Sequence, residues 1–157
     1  AFQLMEQVSG RAGRKDGKGR VMIQVANTGH PVLKWVTGHD FKSFYLAEAA
    51  ARQLFFYPPF SRIIRITFKH KIREIVQDAA SVFALHLHKD FGNYLTGPGE
   101  PVIARIRNQY IMELMLKLPK NGSTIAFAKQ VIQQQKAILQ NDRKFRSVVV
   151  IPDIDPV

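Results

Sequence analysis

Apolar and polar residues alternate along residues 62–69, where Ile64, Ile66 and Phe68 are separated by Arg65 and Thr67. They alternate again along 110–118, with Tyr110, Met112, Leu114, Leu116 and Leu118 on one side and Glu113 and Lys117 on the other. Successive side chains of a strand point to opposite faces, so both segments predict half-buried strands. Between them the period changes. Ile72, Val76, Ala79, Phe83 and Leu87 recur at helical spacing and predict a helix over 72–91. Residues 94–106 read as extended but interrupted by Gly97, Pro98, Gly99 and Pro101, which suggests a broken or bulged strand. Ser123 predicts a cap for a helix reaching about Gln140, with Ile125, Ala128, Ile132 and Leu139 inward, and 146–151 closes the set as a β-branched strand. The order β-α-β-β-α-β predicts an α+β, ferredoxin-like domain: an antiparallel sheet with two helices on one face.

Upstream the pattern is different. Residues 2–11 read as a helix whose end is forced by Gly10 and Gly13, and 21–26 alternate as a strand. Pro31 starts a short helix to about Thr37, and Asp40 caps a longer one reaching Phe56. Tyr57, Pro58 and Pro59 stop it, because proline removes a donor and restricts the residue before it. The domain boundary is expected there, dividing the chain into 1–56 and 57–157.

The 157 residues are 46% hydrophobic, with 11 Phe and scattered Gly and Pro, which is globular composition. The net charge is +11 with a pI near 10.2, and the excess is spread over the whole length. A folded basic domain attracts phosphate backbones or acidic peptides through its summed field. The absence of cysteine excludes disulfides, thiolate zinc sites and cysteine nucleophiles, and together with the lack of a signal or membrane-spanning segment it points to the cytoplasm. A helical pattern is already running at Phe2, so the sequence is expected to begin inside a larger protein.

The stretch that carries chemistry is Gln7-Val8-Ser9-Gly10-Arg11-Ala12-Gly13-Arg14. On a helix continuing through the first glycines, Gln7, Arg11 and Arg14 project from one face. Two guanidinium forks then converge on a single anion. Phosphoryl transfer spreads negative charge over the equatorial oxygens, and a delocalised planar cation stabilises that charge without moving. A lone Gly-Arg-x-Gly-Arg also reads as a solvated helix end. Here the preceding Gln, the following Gly/Lys turn and the segment Val21-Met22-Ile23-Gln24-Val25 fit the order found around motif VI of superfamily 2 helicases, which the stretch resembles.

The rest of the chain is similar to the PriA family of replication-restart helicases over essentially all 157 residues. Gln24, His30-Pro31, Tyr57-Pro58-Pro59-Phe60 with Arg62, Gly97-Pro98, the basic strand from Arg107 to Lys117 and Asp153-Ile154-Asp155-Pro156 carry the likeness. The family's third strand usually alternates Arg with aromatic residues, whereas this chain has Gln109, Tyr110, Ile111 and Met112. Tyr110 alternates with core-facing Met112 and Leu114 and reads as core rather than as a base-stacking platform.

The resemblance implies that residues 1–56 are the tail end of a RecA-like helicase lobe, with Gln7, Arg11 and Arg14 serving the γ-phosphate of ATP held by the other lobe. It implies a parent that is an ATP- and Mg²⁺-dependent 3′ to 5′ helicase with zinc bound upstream, and no cofactor in this stretch. Alone, the stretch is expected to be inactive as an ATPase. The implied partners are branched and single-stranded DNA, other primosome proteins, and the acidic, Phe-ended tail of the single-stranded-DNA-binding protein. Arg62, Arg65, Arg105 and Arg107 are the candidate DNA contacts. Lys117 and Lys120, leading to the helix start at Ser123, are the candidate tail contacts, set against the reading that they are solvated surface charges.

Other constellations carry less. Gly17-Lys18-Gly19-Arg20 lacks the spacing and the Ser/Thr of a P-loop and reads as a turn. His86 and His88 diverge on a helix, and no metal site is expected. Asp153 and Asp155 read as a chain end rather than as paired nuclease carboxylates. The competing functions are a free-standing basic nucleic-acid-binding module of ribosomal-protein type, which does not need Gln7, Arg11 and Arg14, and a scaffold for acidic peptides.

Overall fold

The structure, a computed structural model, describes residues 2–11 and 20–156. It divides into two compact units, 1–51 and 52–157. The first holds helices α1 (Phe2–Ser9) and α2 (Pro31–Thr37) and most of α3 (Phe41–Leu54). Its core is small: Phe2, Val32 and Val36 are buried, with Met5, Ile23, Trp35 and Phe44 packed around them. Pro31 occupies the first turn of α2, where its missing N–H costs nothing, and His30 Nδ1 accepts from Val32 N at 3.2 Å. Asp40 Oδ1 accepts from Ser43 N at 2.9 Å and caps α3. Hydrogen bonds from the side chain and backbone of Ser43 hold the Asp40 carboxyl below its ordinary value. α3 buries none of its residues and leaves Phe41, Tyr45 and Leu46 facing solvent.

The second unit is an antiparallel sheet with two helices. Its elements are β1 (Ser61–His70), α4 (Arg73–Phe91), β2 (Leu95–Gly99), β3 (Arg105–Ile106), β4 (Gln109–Pro119), α5 (Gly122–Asn141) and β5 (Val149–Ile154). The strand order is β2-β4-β1-β5, with β3 pairing β4. β1 lies at the centre, pairing along its whole length with β4 and over Ile64–Lys69 with β5. Ile64, Ile66 and Phe68 of β1 and Met112, Leu114, Leu116 and Leu118 of β4 form one cluster with Val76, Phe83 and Leu87 of α4 and Ala128, Ile132 and Leu139 of α5. Both helices therefore cover the same face. The Phe68 and Phe83 rings meet edge-on at 5.2 Å between centroids.

Three expectations need correction. Residues 21–26 form no strand, because no neighbouring segment among the described residues supplies the ladder that alternation alone cannot provide. α5 is capped by Asn121 rather than Ser123: Asn121 Oδ1 accepts from the Ser123 amide at 3.1 Å and from its hydroxyl at 2.8 Å. β5 starts at Val149 rather than at 146, since Phe145, Arg146 and Val148 spend their N–H groups on turn bonds to Asp142 and Phe145.

A candidate nucleic-acid interface

Arg62 and Arg65 are neighbours on β1 but point to opposite faces of the sheet. Each is engaged by an acid in or just beyond β5. Arg62 Nη2 lies 2.7 Å from Asp155 Oδ2, and Arg65 Nη2 lies 3.0 Å from Asp153 Oδ2. Asp155 is held in turn by backbone bonds to Ile63, accepting from its N at 3.2 Å and donating to its O at 2.7 Å. Two of the four arginines named as DNA contacts thus carry local counter-charges.

Arg105 and Arg107 lie at the other end of β4. Arg62 pairs with Leu118, Arg65 with Met115 and His70 with Tyr110, the residue that Arg105 faces, so at about 3.4 Å per residue Arg62 and Arg65 lie roughly 27 Å and 17 Å along the sheet from the Arg105 position. The two pairs do not form one site. Ile106 faces Gln109 across a two-residue loop in which Arg107 (φ 47°) and Asn108 (φ 62°) both take left-handed conformations, the backbone that matches strand twist in a tight hairpin. The Arg105 guanidinium bonds Asn108 Oδ1 and sits 4.9 Å from the Tyr110 ring centroid. Tyr110 is half-buried against the core, in keeping with its place in the alternation.

The same end of the sheet gathers cations that motif reading passed over: Lys69 and Lys71 where β1 finishes, and Arg143 and Arg146 in the turn before β5. Only the sign of the net charge hinted at them.

At the other candidate positions, α1 ends at Ser9, and Arg11 stands in the turn beyond it, its N donating to Val8 O at 3.2 Å. The helix therefore stops before Gly10. Gln7 and Arg11 are both exposed, and Arg14 lies outside the described residues. Lys117 is occupied: its Nζ lies 3.7 Å from the Tyr57 ring centroid and donates to Phe55 O at 3.3 Å. Lys120 is exposed. His86 Nδ1 lies 2.9 Å from Val82 O, and no group of three metal-ligating side chains comes together among the described residues. No helix there is long and apolar enough to cross a membrane.

The family described as the primosomal protein N C-terminal domain matches residues 53–157. Replication restart protein PriA of Treponema pallidum is 36% identical over 162 residues, covering 100% of this chain and 23% of that protein. The protein of the same name from Bacillus subtilis is 29% identical over 157 residues, covering 99% of this chain and 19% of its own length. The chain thus spans about a fifth of the curated relatives it matches.

Proposed function

The chain belongs to the PriA family of replication restart proteins, and from that premise we propose that it is the C-terminal part of an ATP-dependent 3′ to 5′ DNA helicase that recognises stalled forks and restarts replication by primosome assembly. The observation that carries the reading is that similarity to Treponema PriA covers the whole chain and not only the terminal domain. In this reading the first unit is the tail end of a RecA-like lobe. The exposed apolar residues of α3 and the small core around Phe2 suit a piece of a larger body. The second unit is a ferredoxin-like domain. Strand order β2-β4-β1-β5, antiparallel throughout and with both helices on one face, supports that assignment.

Bound across two lobes, ATP and Mg²⁺ would supply the phosphoryl chemistry; Arg11 and Arg14 would contribute fixed positive charge at the γ-phosphate. Zinc belongs upstream. The second unit serves DNA through its basic groups, and Lys120 is the residue left for an acidic tail of the single-stranded-DNA-binding protein once Lys117 is engaged by Tyr57. In the full-length protein, Arg11→Ala and Arg14→Ala should each lower DNA-stimulated ATP turnover by about 10³-fold while DNA affinity stays near the parent value. Equal losses in turnover and binding would assign these arginines a structural role instead. The 157-residue chain alone should show no turnover, since it has no Walker lysine.

A further inference from the structure

Segments that join compact units are ordinarily solvated and mobile, and they absorb motion of one unit against the other. Residues 55–58, between α3 and β1, are not built that way. Each is fixed either to the end of α3 or to the sheet. Phe56 N donates to Gln53 O at 3.2 Å and Tyr57 N to Arg52 O at 2.7 Å, while Arg52 Nη1 donates to Pro58 O at 3.0 Å. From β1, the buried hydroxyl of Ser61 donates to Phe56 O at 2.8 Å. The Phe56 ring lies 6.3 Å from that of Tyr94.

β4 closes the clamp with Lys117, whose Nζ donates to Phe55 O and sits over the Tyr57 ring. Carbonyls at a helix C-terminus lack intrahelical donors and carry the negative end of the dipole, so a cation there is favoured twice over. The ring adds a cation–π attraction. Lys117 is itself held in place, because Leu116 and Leu118 on either side are fully buried and the strand cannot slide. Ile63, its cross-strand partner, points away from α4 and α5 and joins neither core cluster, yet it is buried. Burial there is what a segment clamped over this face produces. α3 runs unbroken from Phe41 to Leu54, so the helix pinned to β4 at its end begins in the first unit.

We propose that Lys117 is a positioning residue: by clamping the end of α3 to β4 it couples DNA engagement by the second unit to ATP turnover in the full-length protein. The proposal rests on the helicase reading above and deepens it by naming the link. Lys117 needs no contact with nucleotide or DNA for this role.

The test uses Lys117→Met in the full-length protein, which keeps an aliphatic stem over Tyr57 and removes the charge and the donor. DNA-free turnover and DNA affinity should stay within about twofold of the parent, while stimulation of turnover by saturating DNA falls about tenfold, inside the usual range of coupling between sites. Lys117→Arg retains both the cation and a donor and should restore the stimulation. Tyr57→Leu should mimic Lys117→Met, and the two together should do no more than either alone. In the 157-residue chain, Lys117→Met should quicken hydrogen exchange at the amides of Phe56 and Tyr57 and leave β4 slow.

Undiminished stimulation in Lys117→Met overturns the coupling role and leaves the helicase reading in place. Parallel losses of DNA affinity and turnover, or fast exchange along β4, would make Lys117 a stabiliser of the sheet instead. Additive effects of the two substitutions would mean that they do not act through one clamp. A parent protein whose turnover ignores DNA sinks the helicase reading and the coupling together.

Discussion

Gly97 takes φ +100°, and a Cβ built there would fall 2.8 Å from the carbonyl oxygen of Glu113 on the paired strand. Strain and overlap act together, since the conformation disfavours any L side chain and the obstacle is backbone that cannot step aside. Gly97→Ala should therefore lower stability by about 2–3 kcal/mol, read as a shift in the urea midpoint at unchanged slope. Arg107 is the opposite case. It carries a full side chain at φ 47° in a turn that favours glycine, so Arg107→Gly should gain about 1 kcal/mol in the same titration. A loss there would mean that the arginine side chain holds the hairpin together. The sequence shows a Gly-Pro interruption at 97–98, and from that a broken strand is legible. That the β4 carbonyl lies directly beneath Gly97 is not, because it depends on a register shift between Thr96 and Gly99.

At the scale of elements, the segments that read correctly are those in which periodicity and burial have one cause. β1, α4 and β4 each present one apolar face to one core, so the spacing of Ile64, Ile66 and Phe68, or of Val76, Phe83 and Leu87, contains the answer. Residues 21–26 alternate equally well yet form no strand, because pairing depends on a neighbour that the pattern does not encode. Element ends were less legible than element interiors. Asn121 and Ser123 are both good cap residues, and only geometry shows Asn121 at the non-helical position, φ −117° and ψ 125°. Asn121→Ala should cost about 1 kcal/mol, and Ser123→Ala clearly less, because the Ser123 amide keeps its acceptor. Comparable losses for the two variants would return the cap to Ser123.

Over the whole molecule, charge is the property that sequence order conceals most. Read along the chain the cations look dispersed, and the candidate contacts fell on the arginines of recognisable strands, two of which prove to be neutralised by Asp153 and Asp155. Folding collects Lys69, Lys71, Arg143 and Arg146 beside the Arg105–Arg107 hairpin, a grouping that depends on β1 pairing with both β4 and β5. Every one of these residues lies in the second unit, whose core from Ile64 to Val150 is complete without any side chain of residues 1–51. A protein consisting of residues 52–157 should therefore unfold cooperatively and bind forked DNA with the salt slope of the 157-residue chain, because the phosphate contacts that set the slope are all retained. Thermal unfolding by circular dichroism and a fluorescence-anisotropy titration across salt concentrations measure the two halves of this expectation separately. Cooperative unfolding with a slope reduced by 1 or more would place phosphate contacts in residues 1–51, where Arg11 and Arg20 are exposed. A broad, non-cooperative transition would mean instead that the sheet and its two helices depend on the first unit for their packing.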